Sequence, residues 1–537
     1  ANNEILSGKQ GSRRVIRDRL GRIVEDVWVK EGEVGTDVVL SIDSRLQFIA
    51  HKALQNAVER HQAKAGAVVV VDVRTGEILA MSNWPTYDPN ARRFVRMENI
   101  RNRVLTDTFE PGSTMKPFAI AKALDLGIVR PDTLVQTAPG KLTIGDRTIG
   151  DTHEFGMITV SQVVSKSSNI GTSKIALEMQ PQTLWQMYND LGFGTPPQTG
   201  FPGATGGRLR PAKSWRPIEQ ATISYGHGIS VSLMQLVRAY TALARNGDVI
   251  DLTFRRTSKE AVGTQIVRPE VARQMRAMMA ETVQAGTARR VNVQGYTVAG
   301  KTGTANKIEN GQYVDKYVAS FVGMAPAGQP RLIVAVMIDE PTRGSYYGGA
   351  VAAPVFNEVT AGALRLIGVH PDAAGFGAAP GNVFVALKGA KADGLSFVPV
   401  AVARRASCIV CEKRDDAQSK CAGLPYAEVP DLHGQLGPIA SLYYGEPSKA
   451  MHGIAITGTN GKTSTSHWVA ALLSRLGMST AAIGTVGTFL DGKQIEEAGL
   501  TTPDAATLQL TFKKLKQRHA QAFALEASSI GLVRHRL

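Results

Sequence analysis

Hydrophobic positions recur along this chain with two periods. Leu46, Ile49, Ala53, Leu54 and Val58 fall at helical spacing behind Asp43-Ser44, which predicts a capped amphipathic helix. Two apolar runs, 67–73 and 78–81, flank Arg74-Thr-Gly-Glu77 and predict a hairpin. Helical spacing returns at Ser113 with Met115, Phe118, Ala119, Ile120, Ala123 and Leu124. Pro117 falls in that helix's first turn, where a missing N–H costs little. Further helices are predicted over 158–179, over 230–245 with a stop at Gly247, and over 269–284 with a stop at Gly286. Short strands over 296–304, 317–325 and 331–338, then an amphipathic helix over 352–367, complete an α+β unit.

Beyond it the pattern changes. Residues 371–381 are a linker of small residues. Strand-like runs follow at 383–387 and 454–456. Gly458-Thr-Asn-Gly-Lys-Thr463 then reads as a turn and 465–476 as a helix. Strand, glycine-rich turn and helix form the arrangement in which backbone amides and a helix N-terminus cradle phosphates. Residues 1–42 are polar and basic, with short β-rich pieces such as 23–28 between glycines, and read as the remnant of a preceding module.

The length of 537 residues agrees with several domains, since it exceeds what one core serves. The net charge of +15 is spread through the periodic segments. The densest basic groups, 13–22 and 92–103, lack interleaved aromatics, so nucleic acid is not an expected partner. No apolar run approaches the ~20 residues of a membrane span. The chain opens on Ala, and is expected to be a fragment without its targeting segment. The three cysteines, Cys408, Cys411 and Cys421, sit in or near an apolar strand-like run with no second Cys-x-x-Cys pair, and are expected in a core.

Ser113 and Lys116 lie one helical turn apart, so their side chains emerge on one face. A lysine in a partly dry pocket loses its proton readily and can then activate the hydroxyl. An isolated Ser-x-x-Lys is more often a cap followed by a solvated cation. Here it is followed by Ser167-Ser-Asn169 and by Lys301-Thr-Gly-Thr304. Ser-x-x-Lys, Ser-x-Asn and Lys-Thr-Gly in that order are the signature set of penicillin-binding proteins and serine β-lactamases.

Residues 1–370 resemble the FtsI-type class B penicillin-binding proteins. The likeness extends through Leu40-Ser-Ile-Asp-Ser-Arg-Leu-Gln47, Arg101-Asn-Arg103, Phe109-Glu-Pro-Gly-Ser113, Tyr346-Tyr-Gly-Gly-Ala350 and Ala352-Ala-Pro-Val-Phe356. It implies a transpeptidase domain over 43–370 that cross-links peptidoglycan stem peptides ending in D-alanyl-D-alanine and is acylated by β-lactams. Ser113 would be the nucleophile, Lys116 its base, Ser167 a proton relay, and Asn169 an anchor for substrate backbone. Lys301, Thr302, Gly303 and Thr304 would bind the terminal carboxylate, and the N–H groups of Ser113 and Thr304 would form the oxyanion hole. The resemblance also implies septal synthesis at the cell inner membrane, a periplasmic transpeptidase, and partners among membrane proteins of the division machinery. The same three motifs serve β-lactamases, D,D-carboxypeptidases and non-catalytic penicillin sensors.

From 382 onward the chain resembles MurE-type Mur ligases. Thr457-Gly-Thr-Asn-Gly-Lys-Thr463, Ile483-Gly-Thr-Val-Gly487, Thr501-Thr-Pro503 and Glu526-Ala-Ser-Ser529, with His535-Arg536, carry this likeness. Ile456 stands where a strict P-loop has its first glycine. The resemblance implies a partial UDP-binding domain over 382–445 and a truncated ATP-binding domain over 446–537. Gly458, Thr459, Asn460, Gly461, Lys462 and Thr463 would hold ATP, and Thr463 and Glu526 would hold Mg²⁺. Thr501, Thr502, Ser528 and Arg536 would face the UDP-MurNAc-dipeptide. Several of the family's segments are not in this chain, so the ligase part is expected to be incomplete. Its nucleotide substrates are cytoplasmic, opposite to the transpeptidase. The join has two readings, two neighbouring cell-wall genes run together, which is favoured, or a true fusion cut at both ends.

Overall fold

The computed structural model describes residues 3–88, 90, 96–369, 371–372, 383–387, 393–403, 406–421, 423–496, 502–528 and 531. Thr501, Arg536 and most of the expected linker lie outside the described residues. The chain divides into two compact units, 1–363 and 364–537. Among the described residues no helix is long and apolar enough to cross a membrane.

In the first unit, β1 (Ser12–Arg17) pairs antiparallel with β2 (Ile23–Lys30). Helix α1 (Ser44–Arg60) starts where the Asp43 carboxylate accepts from the N–H groups of Arg45 and Leu46. Strands β3 (Ala65–Asp72) and β4 (Ile78–Trp84) form the hairpin. Then come α2 (Lys116–Asp125), α3 (Val160–Ser165), α4 (Asn169–Leu177), α5 (Leu233–Ala244) and α6 (Pro269–Gln284). Strands β5 (Ala299–Glu309), β6 (Gln312–Ala325) and β7 (Leu332–Asp339) and helix α7 (Ala353–Leu366) follow.

One antiparallel sheet joins them in the order β5–β6–β7–β3–β4. Every residue of β3 is buried because the strand is interior and covered on both faces. Ala67, Val69 and Val71 enter the large core with α2 and α5. Gly66, on the other face, lies so close beneath α1 that a Cβ would sit 2.8 Å from Leu54 and from Val58. The core also anchors the start of α2. Phe118 meets Phe193 and Tyr240 edge-on at 5.9 and 5.2 Å, and Tyr240 Oη donates to the Thr114 carbonyl at 2.8 Å.

Three expectations are corrected. The helix predicted over 158–179 is two helices, α3 and α4, broken at Ser167, whose φ is +63°. The break arises because Ser168 Oγ accepts from Gly171 N–H at 2.8 Å and starts a new helix, an alternative that serine offers to continuous helical bonding. The second helix expected over 230–245 begins at Leu233, behind a capping box of Ser232 and Gln235. The strands begin and end elsewhere: β5 starts at Ala299 and, with β6, forms a hairpin running out to Glu309 and Gln312.

In the second unit, β8 (Val383–Ala386), β9 (Cys408–Glu412) and β10 (Tyr426–Val429) form a parallel sheet. Cys411 and Cys421 are buried with Leu395, Val398 and Ile409, Cys408 is partly buried, and all three thiols are free. After α8 (Leu432–Tyr443) come β11 (His452–Ile456), α9 (Lys462–Arg475), β12 (Thr480–Gly484), β13 (Gly487–Leu490), β14 (Lys493–Glu496), α10 (Ala505–Gln517) and β15 (Ala522–Glu526). Their sheet has the order β11–β15–β12–β13–β14. The first three strands are parallel, and β13 and β14 are antiparallel additions. Helix α9 starts at Lys462, three residues before the expected 465, because Gly461 takes φ +77° and turns the chain directly into it.

Candidate active site

Ser113 sits in a 3₁₀ turn, Gly112–Met115, that leads into α2. Two backbone segments clamp this turn. Gly112 N donates to Gly226 O at 3.2 Å, and a Cβ on Gly226 would lie 2.2 Å from Gly112 O. On β5, a Cβ on Gly303 would lie 2.8 Å from Pro111 O and 2.4 Å from Ser320 Oγ. Only glycine fits either approach. The same packing sets Gly112 against the Thr304 carbonyl, 3.4 Å from where a Cβ would be, so the nucleophile's turn and β5 adjoin.

Lys116 is fully buried, whereas Ser113 is partly exposed. Lys116 Nζ donates to Ser167 O at 2.5 Å and to Ser167 Oγ at 3.1 Å. Lys301, also fully buried, donates to the same Oγ at 2.9 Å. The left-handed backbone of Ser167 presents its carbonyl and its hydroxyl to Lys116 together. Burial, with the neighbouring Lys301 ammonium, pushes the Lys116 amine well below its ordinary pKa, and Asp151 partly opposes this. Burial pushes Lys301 down to about 7.

Asn169 opens α4 with its Nδ2 donating to Gly150 O at 2.9 Å. Asp151 organises the whole turn. It accepts from Ser168 Oγ and Asn169 N–H at 2.5 Å each and from Ile170 N–H at 3.2 Å. On β5, Thr302 and Thr304 point to one side. Thr302 Oγ1 is 3.1 Å from Thr287 Oγ1, and Thr304 Oγ1 accepts from Gly348 N–H at 3.1 Å. Lys116 of α2, Ser167 of the α3–α4 break and Lys301 of β5 are thus brought together by hydrogen bonds, Ser113 stands in the turn that adjoins β5, and Asn169 opens α4 two residues after Ser167.

Sequence reasoning missed Asp151, Glu110 and the turn Tyr225-Gly-His-Gly228. Asp151 lies 18 positions from Asn169 in a segment without apolar periodicity, so nothing local marked it. Glu110 was visible only as a neighbour of Pro111. The Gly226 and Gly228 pair, both at positive φ, was the one available signal.

In the second unit, the carboxyl ends of β11 and β15 lie side by side, with Ile456 paired to Glu526. Ligands bind at such strand ends in parallel α/β sheets. Gly458 and Gly461 have positive φ, and Lys462 Nζ folds back onto Gly458 O at 2.5 Å. Glu526 is 1% exposed and accepts from Thr463 Oγ1 at 3.1 Å and from Thr485 N–H and Oγ1 at 3.1 and 3.0 Å. Thr502 Oγ1 donates to Glu526 O at 2.8 Å, accepts from Ser528 N–H at 2.8 Å and lies 3.0 Å from Ser528 Oγ. A Cβ on Gly484 would lie 1.9 Å from Glu526 Oε1. One buried carboxylate with hydroxyl neighbours, all oxygen donors, fits a hard cation such as Mg²⁺. Thr485 was not anticipated from the sequence.

The fold and the serine–lysine site define a class of acyl-transfer domains, and the comparisons identify the family. Residues 66–361 match the penicillin binding protein transpeptidase domain, and the chain belongs to that family. Residues 456–537 match the Mur ligase middle domain. The probable peptidoglycan D,D-transpeptidase PenA of Neisseria flavescens is 47% identical over 371 residues, covering 68% of this chain and 92% of that protein. The peptidoglycan D,D-transpeptidase FtsI of Escherichia coli K12 is 39% identical over 370 residues, covering 68% of this chain and 63% of that protein. A solved structure of the TP domain of Burkholderia pseudomallei penicillin-binding protein 3 has 48% identity and a TM-score of 0.58, covering 62% of this chain and 98% of that one.

Proposed function

We propose that the first unit is a peptidoglycan D,D-transpeptidase that works through an acyl-enzyme on Ser113. The observation that carries this is the convergence of Lys116, one turn on from Ser113, and Lys301 on the Ser167 hydroxyl. Burial and the Lys301 ammonium push the Lys116 pKa well below its ordinary value, which makes it a readier proton acceptor. Ser113 Oγ attacks the carbonyl carbon of the penultimate D-alanine and passes its proton to Lys116 Nζ. The C–N bond then breaks, and the proton returns through Ser167 to the leaving amine of the last D-alanine. An ester remains on Ser113. The amine of a second stem peptide attacks it, forms the cross-link and returns the proton to the Ser113 oxygen. The N–H groups of Ser113 and Thr304 hold the developing oxyanion, each worth roughly 3–4 kcal/mol. Thr302, Thr304 and Lys301 receive the substrate carboxylate, and Asn169 its backbone.

The likeness to PenA and FtsI supports placing this reaction in septal wall synthesis, on the periplasmic side of the inner membrane, beside membrane proteins of the division machinery. For the second unit we infer binding of ATP at Gly458 to Thr463, of Mg²⁺ at Thr463 and Glu526, and of a UDP-MurNAc-dipeptide at Thr502 and Ser528, with Thr501 and Arg536. When bound, the cation would neutralise phosphate charge. The match to the Mur ligase middle domain supports this.

The test of the first reading is labelling with fluorescent penicillin. The chain should give one covalent band, competed by unlabelled penicillin and absent in Ser113→Ala. Labelling that survives in Ser113→Ala sinks the assignment, and rapid release of hydrolysed penicillin would favour a β-lactamase instead.

A further inference from the structure

Three residues before the nucleophile stands Glu110, a carboxylate that the acyl-transfer steps do not use. Its side chain is 8% exposed. Gly228 N–H donates to Oε1 at 2.7 Å and Tyr313 Oη to Oε2 at 3.0 Å, while His227 Nδ1 lies 3.4 Å from Oε2. These partners come from two distant parts of the chain. Gly228 and His227 belong to the turn whose Gly226 clamps Gly112, and Tyr313 lies at the tip of the β5–β6 hairpin.

The contacts continue toward the chemistry. His227 packs between Tyr225 and Tyr313, with ring centroids at 5.3 and 5.9 Å, and the Tyr225 ring lies 6.0 Å from Lys116 Nζ. Burial, assisted by Lys116, holds His227 down at about 4, so at neutral pH it offers Glu110 no countercharge. Burial alone raises the Glu110 pKa, partly offset by its two hydrogen bonds. A carboxylate buried on neutral donors is costly. Its structural return is that it ties three segments together. Tyr313 is 54% exposed, so its hold on the rest of the unit rests on this bond and on the His227 ring beside it.

We propose that Glu110 is a positioning residue for acylation: it fastens the β5–β6 hairpin tip and the 225–228 turn to the segment preceding Ser113, and so fixes the wall along which the acyl donor is laid. This rests on the acyl-transfer reading above.

The test follows acylation of the full chain over a range of fluorescent-penicillin concentrations, which separates the apparent dissociation constant from the rate at saturation. Glu110→Ala should raise the dissociation constant about tenfold, the scale of a lost hydrogen bond to a charged group, and leave the saturating rate within about twofold. Glu110→Gln keeps an acceptor for Gly228 N–H and a polar end for Tyr313, and should recover most of the loss. Tyr313→Phe should weaken binding in the same way, and the double variant with Glu110→Ala should be no worse than Glu110→Ala alone. Equal defects in Gln and Ala with a lowered saturating rate would put the charge in the chemistry and overturn the proposal. Full additivity of the two substitutions would overturn it as well. If Glu110→Ala does not fold, Tyr313→Phe decides, and an unchanged dissociation constant there overturns the proposal. A wild-type chain that never labels defeats the acyl-transfer reading itself. A labelled wild type with unaltered variants defeats only the positioning role.

Discussion

Lys301 Nζ donates to Ser167 Oγ at 2.9 Å, and Lys116 Nζ reaches that oxygen at 3.1 Å. Two buried ammonium groups sharing one hydroxyl repel strongly in a medium drier than water. The pair therefore favours a state with fewer protons than two isolated lysines would carry, which eases transfer of the Ser113 proton to Lys116.

That arrangement makes the acylation rate depend on pH in a definite direction. Only neutral Lys116 can take the Ser113 proton, so the rate should rise as pH rises through its depressed pKa. Lys301→Met removes a positive neighbour, which raises the Lys116 pKa and moves the ascending limb to higher pH. The measurement is the acylation rate with fluorescent penicillin across the pH range. An unmoved limb in Lys301→Met would assign the titration to another group.

Stability should carry the same signature. Lys301 titrates at about 7 in the folded chain against an ordinary 10.5, so between these values the unfolded chain binds more protons. Stability from this group is lowest below about 7 and rises with pH toward 10.5. Thermal melts of wild type and Lys301→Met should therefore diverge, the wild type gaining relative to the variant as pH increases from 7. A constant difference between the two melting curves would show that Lys301 keeps its proton when buried.

Asp151 sets up a pair of opposed effects. In Asp151→Ala, Asn169 N–H, Ile170 N–H and the Ser168 hydroxyl lose their acceptor, at about 1–3 kcal/mol for an unsatisfied buried donor. The Ser167 turn should loosen, and acylation should fall roughly 10- to 100-fold, the factor that a loss of this size implies. Asp151→Asn keeps an acceptor but removes a negative charge that raises the Lys116 pKa. Its pH limb should shift to lower values, opposite to Lys301→Met. Parallel shifts in the two variants would contradict the electrostatic account of the site.

How much of this was legible in the sequence follows from which interactions are local. The β3–β4 hairpin, α1 with its Asp43 cap and α6 could be read because apolar period and capping residues specify them within one segment. The three motifs could be picked out by residue type and order, and the structure joins one residue of each, Lys116, Ser167 and Lys301, by hydrogen bonds. The break at Ser167 falls in a polar run, Ser165-Lys-Ser-Ser-Asn169, between two apolar stretches, but a polar run of that length also fits the solvent face of one continuous helix. What produces the break is a serine cap together with lysines from α2 and β5 and Asp151 from the segment between α2 and α3, all partners outside the helix itself. Glu110 was hidden for the same reason, since its donors lie 118 and 203 positions away.

The second unit offers a test independent of the first. Lys462 opens α9 at the turn that follows β11, and Glu526, at the end of β15, accepts from the neighbouring Thr463. If this turn cradles nucleotide phosphates, Lys462→Ala removes a charge-assisted contact worth about 1.5–3 kcal/mol and should weaken binding of a fluorescent ATP analogue about 10- to 100-fold. Glu526→Gln should act differently. Its amide retains a partner for the Thr463 and Thr485 hydroxyls but loses the charge that a cation requires. Binding in the presence of chelator should then be nearly unchanged, while the enhancement by added Mg²⁺ disappears. Titrations of the full chain, with and without Mg²⁺, distinguish the two effects. Equal binding by wild type and Lys462→Ala would mean that the glycine-rich turn closes only on itself, through the Lys462 bond to Gly458 O.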